Sequence, residues 1–235
     1  MVHDRRLPVR SYPKHLATLG LLLLALTTGC DSKPDMPDGV QLIETPALGN
    51  LDPTSQKTLS ALTQELLQSQ SFEGTPLTFS ELAKQYANVG DAFQSYDIID
   101  QAIVCYQNAI ILDKAAPAKW HYHLAQSLRK HGDFAAAVTQ YKIAITLLNK
   151  QKGTSKQKLA ALFHLGECQL ELTLEEDARS SFQTALTVGP NIDDAICHLA
   201  LGKTYIQSNP SAAINHLLKA LESSPRATNV HYSLM

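Results

Sequence analysis

Nine histidines and four cysteines are the residues of this 235-residue chain with the most chemistry to offer. A metal site needs several such ligands converging on one point, and a helix aligns side chains only at spacings of three or four. His121 and His123 stand two apart and point to different faces of a helix. Cys105, Cys168 and Cys197 lie among apolar neighbours with no close pair, so each reads as a small buried hydrophobe. A disulfide between Cys168 and Cys197 is the alternative in an oxidising compartment. Glu171, Glu175 and Glu176 read as exposed carboxylates of a helix end. The patterns C-x-x-C-H, H-E-x-x-H and G-x-S-x-G do not occur, nor does a glycine-rich phosphate loop. The expectation is a non-enzyme with no catalytic residue, no metal and no cofactor.

The elements that position any functional surface are repeated ones. Ala-x3-aromatic-x2-Ala occurs as Ala102-Tyr106-Ala109, Ala137-Tyr141-Ala144 and Ala178-Phe182-Ala185, with Ala213-Leu217-Ala220 as a fourth copy. Successive first alanines are 35, 41 and 35 residues apart. A second pattern precedes each copy: Leu82-Ala83-x2-Tyr86, Leu124-Ala125-x2-Leu128, Leu165-Gly166-x2-Gln169 and Leu201-Gly202-x2-Tyr205. Turn formers lie between the two patterns: Gly90-Asp91, Gly132-Asp133, Thr173-Leu174-Glu175 and Ser208-Asn209-Pro210. Each unit therefore reads as helix A, tight turn, helix B, with Pro117, Pro190 and Pro225 stopping three of the B helices. A period of about 34 residues marks a helical solenoid, in which no repeat buries its apolar face alone.

Together these residues resemble the tetratricopeptide repeat (TPR) family, best in the third unit with Leu165, Gly166, Ala178, Phe182, Ala185 and Pro190. The resemblance implies an all-α, right-handed superhelical solenoid of antiparallel helix pairs over residues 77–226. The units fall at 77–117, 118–150, 155–190 and 191–225. Residues 52–76 read as an N-terminal capping helix and linker, since Asp52-Pro53 suits a helix start and Leu59, Leu62, Leu66 and Leu67 follow at helical spacing. Three departures are expected: about seven extra residues at 93–100 judged against the repeat period, a polar loop at 150–156, and one residue lost near Pro210. His121, His198 and His231 fall where the family often carries Trp, which implies packing rather than ligation. Residues 227–235 read as the start of a fifth, truncated repeat. This phase predicts either a longer chain or, if the chain ends there, an exposed face of Leu217, Leu218, Leu221 and Tyr232 covered by self-association or a partner.

The first 29 residues have the plan of a secretory signal peptide. Arg5, Arg6, Arg10 and Lys14 precede an apolar run at 16–26, too short for the roughly 20 residues that span a bilayer. Thr27-Thr28-Gly29-Cys30 then resembles a bacterial lipobox, with Thr27 where a Leu is usual. That resemblance implies lipidation of Cys30, a palmitate-type anchor, and a bacterial cell-envelope protein facing the periplasm. Asp31 resembles the residue that retains many such lipoproteins in the inner membrane. An ordinary cleaved signal or an unprocessed anchor is the alternative. Residues 30–51, with Pro34, Pro37, Pro46, Gly39 and Gly49, read as an extended tether.

The chain carries 20 basic and 22 acidic residues, and removing residues 1–29 leaves 16 against 21. A mildly acidic protein is not expected to bind nucleic acid. The basic clusters at 150–158 and at Arg129-Lys130 read as solvated faces. In TPR solenoids the A helices line the concave face. By resemblance the partner-binding groove is formed by Lys119, Tyr122, Gln126, Arg129 and Lys130 of the second unit, Phe163, Glu167 and Leu170 of the third, and Leu199, Lys203 and Ile206 of the fourth. The paired Lys and Asn residues of carboxylate-clamp TPRs are missing. The reading is a membrane-tethered interaction scaffold for a protein or peptide partner; the alternative is the recruiting module of a longer enzymatic or redox protein. Mass spectrometry of the membrane-extracted protein should find a mature chain that begins at an acylated Cys30. An unmodified Cys30 would contradict this expectation.

Overall fold

The computed structural model describes residues 35–70, 77–188 and 194–224. Cys30, Asp31, the signal region and the fifth-repeat residues lie outside this set, as does Tyr232. Among the described residues the regular structure is all helical. Helix α1 (Pro53–Gln70) covers the first pair, which is α2 (Phe79–Ser95) with α3 (Ile99–Leu112). The later pairs are α4 (Ala118–His131) with α5 (Phe134–Lys150), α6 (Ser155–Glu171) with α7 (Glu175–Thr187), and α8 (Asp194–Tyr205) with α9 (Pro210–Ser223). Each helix packs on its neighbours in the chain, as in a solenoid.

Local chemistry sets the helix ends. Asp52 accepts from the backbone N–H groups of Thr54 (3.0 Å) and Ser55 (3.1 Å), with Pro53 in the first turn of α1. Thr78 with Glu81 and Thr154 with Gln157 form reciprocal capping boxes for α2 and α6. Asp133 and Asn209 cap α5 and α9. At three A–B turns one residue adopts a left-handed conformation: Asp97 (φ 61°), Gly132 (φ 93°) and Thr173 (φ 61°). In each, the next N–H reaches back five residues, Ile98 to Phe93, Asp133 to Leu128 and Leu174 to Gln169, at 2.8–2.9 Å. This is a Schellman-type ending, which satisfies carbonyls that the helix leaves orphaned.

The first pair corrects the sequence reading. Gly90 and Asp91 are not a turn but lie inside α2, and the turn falls at 96–98. The A-helix motif of this unit is Val89-Gly90-x2-Phe93, so the unit has no insertion at 93–100. A Cβ on Gly90 would stand 3.1 Å from the Tyr106 ring. Gly166 meets Phe182 in the same way, with a hypothetical Cβ at 2.5 Å, and Gly202 meets Leu217 at 2.8 Å. Gly90 precedes Tyr106 by 16 residues and Gly166 precedes Phe182 by 16, as Ala125 precedes Tyr141; for Gly202 and Leu217 the separation is 15.

Residues 35–51 are not a free tether. Asn108, fully buried on α3, accepts from the Gln41 backbone N–H at 2.8 Å and donates to the Gln41 carbonyl at 2.7 Å. Ile43 is buried, and Met36, Val40, Leu48 and Leu51 pack against the same core. None of Cys105, Cys168 and Cys197 is in a disulfide, and all three are buried. Burial pushes the Cys168 thiol up to about 11, which keeps it protonated and unreactive. The Cys168–Cys197 alternative is therefore not realised.

Phe182→Ala should cost about 3–5 kcal/mol, as a large-to-small change in a closed core. Gly166→Ala should cost about 1–3 kcal/mol by overpacking against the rigid ring. Combined with Phe182→Leu, it should destabilise by less than the sum of the two single changes. Urea denaturation of these variants and of Phe182→Leu alone measures the coupling, and additive losses would show that the two residues do not press on one another.

Candidate interaction groove

The first turns of α4 and α6 face each other across a groove of about 330 Å³. Ala118, Tyr122, Leu148 and Ala160 line it with apolar surface, while Lys119, Lys156 and Gln157 bring polar groups. The geometry follows from small residues on the facing helix turns, which leave space where larger side chains would close the gap. Lys119 and Tyr122 belong to the sequence-derived set. Ala118, His123, Leu148, Lys156, Gln157 and Ala160 do not. The signal that places Lys156 on a helix was present, since Thr154-x-x-Gln157 is a capping box that starts α6 at Ser155.

Tyr122 and His123 line the groove, and the chain of aromatic rings they belong to ties the second repeat to its neighbours. Tyr106 of α3 stacks on His123 of α4 at 5.8 Å, and His123 meets Tyr122 edge-on at 5.6 Å. Tyr122 contacts Tyr141 at 5.8 Å and His164 of α6 at 6.3 Å. Phe163 carries the contact on to Phe182 at 5.6 Å. Such pairs add about 0.5–1.5 kcal/mol each beyond area burial.

Polar bonds between repeats use several predicted groove residues. Lys119 bonds Asp91 at 2.7 Å, and the Tyr106 hydroxyl donates to the same carboxylate at 2.6 Å. Burial works to raise Asp91, but the bonds from Lys119 and Tyr106 outweigh it and hold the carboxyl below its usual range. Lys130 pairs with Asp97 at 2.8 Å. Within α4, Gln126 donates to the Tyr122 hydroxyl at 3.1 Å. Arg129 lies 3.6 Å from Glu167, which His164 approaches at 2.8 Å. Gln94 donates to the His123 carbonyl and to Ser127, fixing α2 against α4.

The remaining predicted residues divide. Lys203 is exposed on α8, and Ile206, in the turn that follows it, is 41% exposed. Leu199 is a correction: at 7% exposure it packs with Leu217 and Ala220 and cannot line a groove. Phe163 and Leu170 are half-buried in the cluster of Ala178, Phe182 and Leu201, so they are committed to packing α6 against α7 and α8. Leu217 is likewise buried rather than exposed, whereas Leu218 is 48% exposed and Ile214 52%. His121 is buried and its Nδ1 lies 2.8 Å from Gln140, in keeping with a packing role.

Fold and groove together define a helical-repeat solenoid of the TPR type with an A-helix surface open to solvent. Solved structures share this fold. The chain matches the crystal structure of MamA at a TM-score of 0.58 and 15% identity, covering 76% of this chain and 98% of that one. It matches BtubC (BKLC) from P. vanneervenii at 0.57 and 18%, covering 77% and 75%. It also matches the Cut9–Hcn1 hetero-tetramer of the APC/C at 0.58 and 22%, covering 77% of this chain and 32% of that one. No protein-family model and no curated protein matches the sequence. At these identities the likeness is one of fold.

His123 gives this region a pH dependence. Burial lowers its basicity, and the nearby Asp91 charge only partly opposes that. The unfolded ring takes a proton near pH 6.5, before the folded one does. Its contribution to stability is thus fully present above about pH 6.5 and is lost as pH falls toward the folded value. The urea midpoint should drop between pH 7.5 and 5.5, and His123→Gln should lessen the drop. A midpoint that rises on acidification would contradict this assignment.

Proposed function

We propose that this protein is a cell-envelope interaction scaffold, tethered through a lipidated Cys30, that holds a partner peptide or helix along its A-helix groove. The observation that carries the proposal is the groove between α4 and α6, with an apolar floor of Ala118, Tyr122, Leu148 and Ala160 beside Lys119 and Lys156. That combination suits an amphipathic segment whose apolar side chains enter the groove while its carboxylates meet the two lysines. The fold supports the reading, since stacked repeats build extended surfaces rather than enclosed pockets. One structural neighbour, Cut9–Hcn1, is itself a hetero-tetramer. The tether rests on the signal-like residues 1–29 and the lipobox resemblance at Cys30, and Asp31 favours the inner membrane.

The groove can be blocked without touching the core. Ala160→Phe fills the floor, and Lys156→Glu reverses the charge beside it. Affinity isolation from solubilised membranes should recover a partner with wild type and with the α5 control Lys142→Glu, and lose it with either groove variant. Melting temperatures close to wild type would confirm that the variants remain folded. Undiminished recovery by folded Ala160→Phe would contradict the proposed site.

A further inference from the structure

His198, which the repeat resemblance assigns to packing, and His216 come together in the last described pair. His198 of α8 and His216 of α9 approach with their Nδ1 atoms 3.0 Å apart and their ring centroids 5.2 Å apart. Tyr205 stacks on His216 at 5.8 Å, and the Arg179 guanidinium lies 4.7 Å over the Tyr205 ring. Arg179 is itself fixed by the Thr204 carbonyl at 2.7 Å and by Glu175 at 2.9 Å. The His216 ring is therefore backed by a braced stack. Both imidazoles are half-buried, so solvent reaches the pair.

We propose that His198 and His216 form a two-imidazole seat for a borderline divalent transition-metal ion such as Ni²⁺ or Cu²⁺. Two imidazole nitrogens, each about 2.0–2.1 Å from one ion, stand about 3 Å apart when they meet at about a right angle. That angle belongs to square-planar and octahedral ions, and a tetrahedral ion such as Zn²⁺ would need the nitrogens farther apart. Without an ion, the same spacing requires one ring to donate its single Nδ1 proton to the other. Among the described residues no set of three His, Cys, Asp or Glu side chains converges, so solvent supplies the remaining ligand positions. Asp194 precedes His198 by one helical turn, and its Oδ1 is buried without a hydrogen-bond partner. It offers an acceptor in the outer shell of a bound ion. The charges acting on His198 are Asp194 and Glu222, which favour a cation, and Lys219, which opposes one.

Calorimetric titration of the untagged full chain with Ni²⁺ at pH 7.5 tests the site. Wild type should bind one saturable equivalent, with a melting temperature that rises with Ni²⁺ concentration. His198→Gln and His216→Asn should each weaken binding at least about tenfold, the scale on which metal sites respond to loss of ligand support. His131→Gln should leave it unchanged. If a variant fails to fold, paramagnetic broadening of the His198 and His216 ring resonances in wild type decides instead. Absent saturable binding, equal affinity in the folded variants, or broadening centred on other histidines would overturn the proposal.

Discussion

The contact on which the structure depends is a small residue of helix A pressed against a large apolar side chain of helix B. At Gly166 even one methyl group would stand 2.5 Å from the Phe182 ring, and at Gly202 it would stand 2.8 Å from Leu217. The two backbones can approach only because the glycine has no side chain. Close approach lets the flanking alanines, Ala178 and Ala185 around Phe182, become fully buried without leaving voids. With one side of each A helix committed to this contact and another to the neighbouring repeats, its remaining face is left to line a groove.

Junctions between repeats are of a different kind. To the apolar core that runs across them they add polar and aromatic contacts, made by Gln94, by the Asp91–Lys119 pair, by the rings of Tyr122, Tyr141 and His164, and by Arg179. Exposed ion pairs contribute roughly 0–1 kcal/mol each, so the shared apolar core, the aromatic contacts and the buried Arg179 carry the stacking. The same residues shape the groove, whose lysines are thus partly committed before a partner arrives. A partner carboxylate near Lys119 would compete with Asp91, whereas Lys156 makes no hydrogen bond or ion pair among the described residues.

Much of this was legible in the sequence because repeat periodicity reports backbone geometry directly. The Ala-x3-aromatic-x2-Ala copies fall on α3, α5, α7 and α9, with Ala102, Ala137, Ala178 and Ala213 all buried. The first A-helix motif was placed seven residues too early for a physical reason. Seven residues are about two helical turns, so Leu82-Ala83-x2-Tyr86 and Val89-Gly90-x2-Phe93 share one face of α2, and both are buried. Leu199 was misplaced because α8 is apolar on more than one face, being packed by α9 as well as by the third repeat. The Asn108 clasp on Gln41 and the His198–His216 contact join elements through side-chain geometry, which spacing along the chain does not encode.

Site-specific photo-crosslinking in intact cells reports directly which face of the solenoid a partner touches. A photoreactive residue replaces Lys119, Gln157 or Lys203 on the A-helix side, and Lys142 or Thr146 on α5. One common adduct is expected from the A-helix positions and none from α5. Adducts formed from Lys142 and Thr146 alone would place the binding surface on the opposite face and contradict the proposed groove.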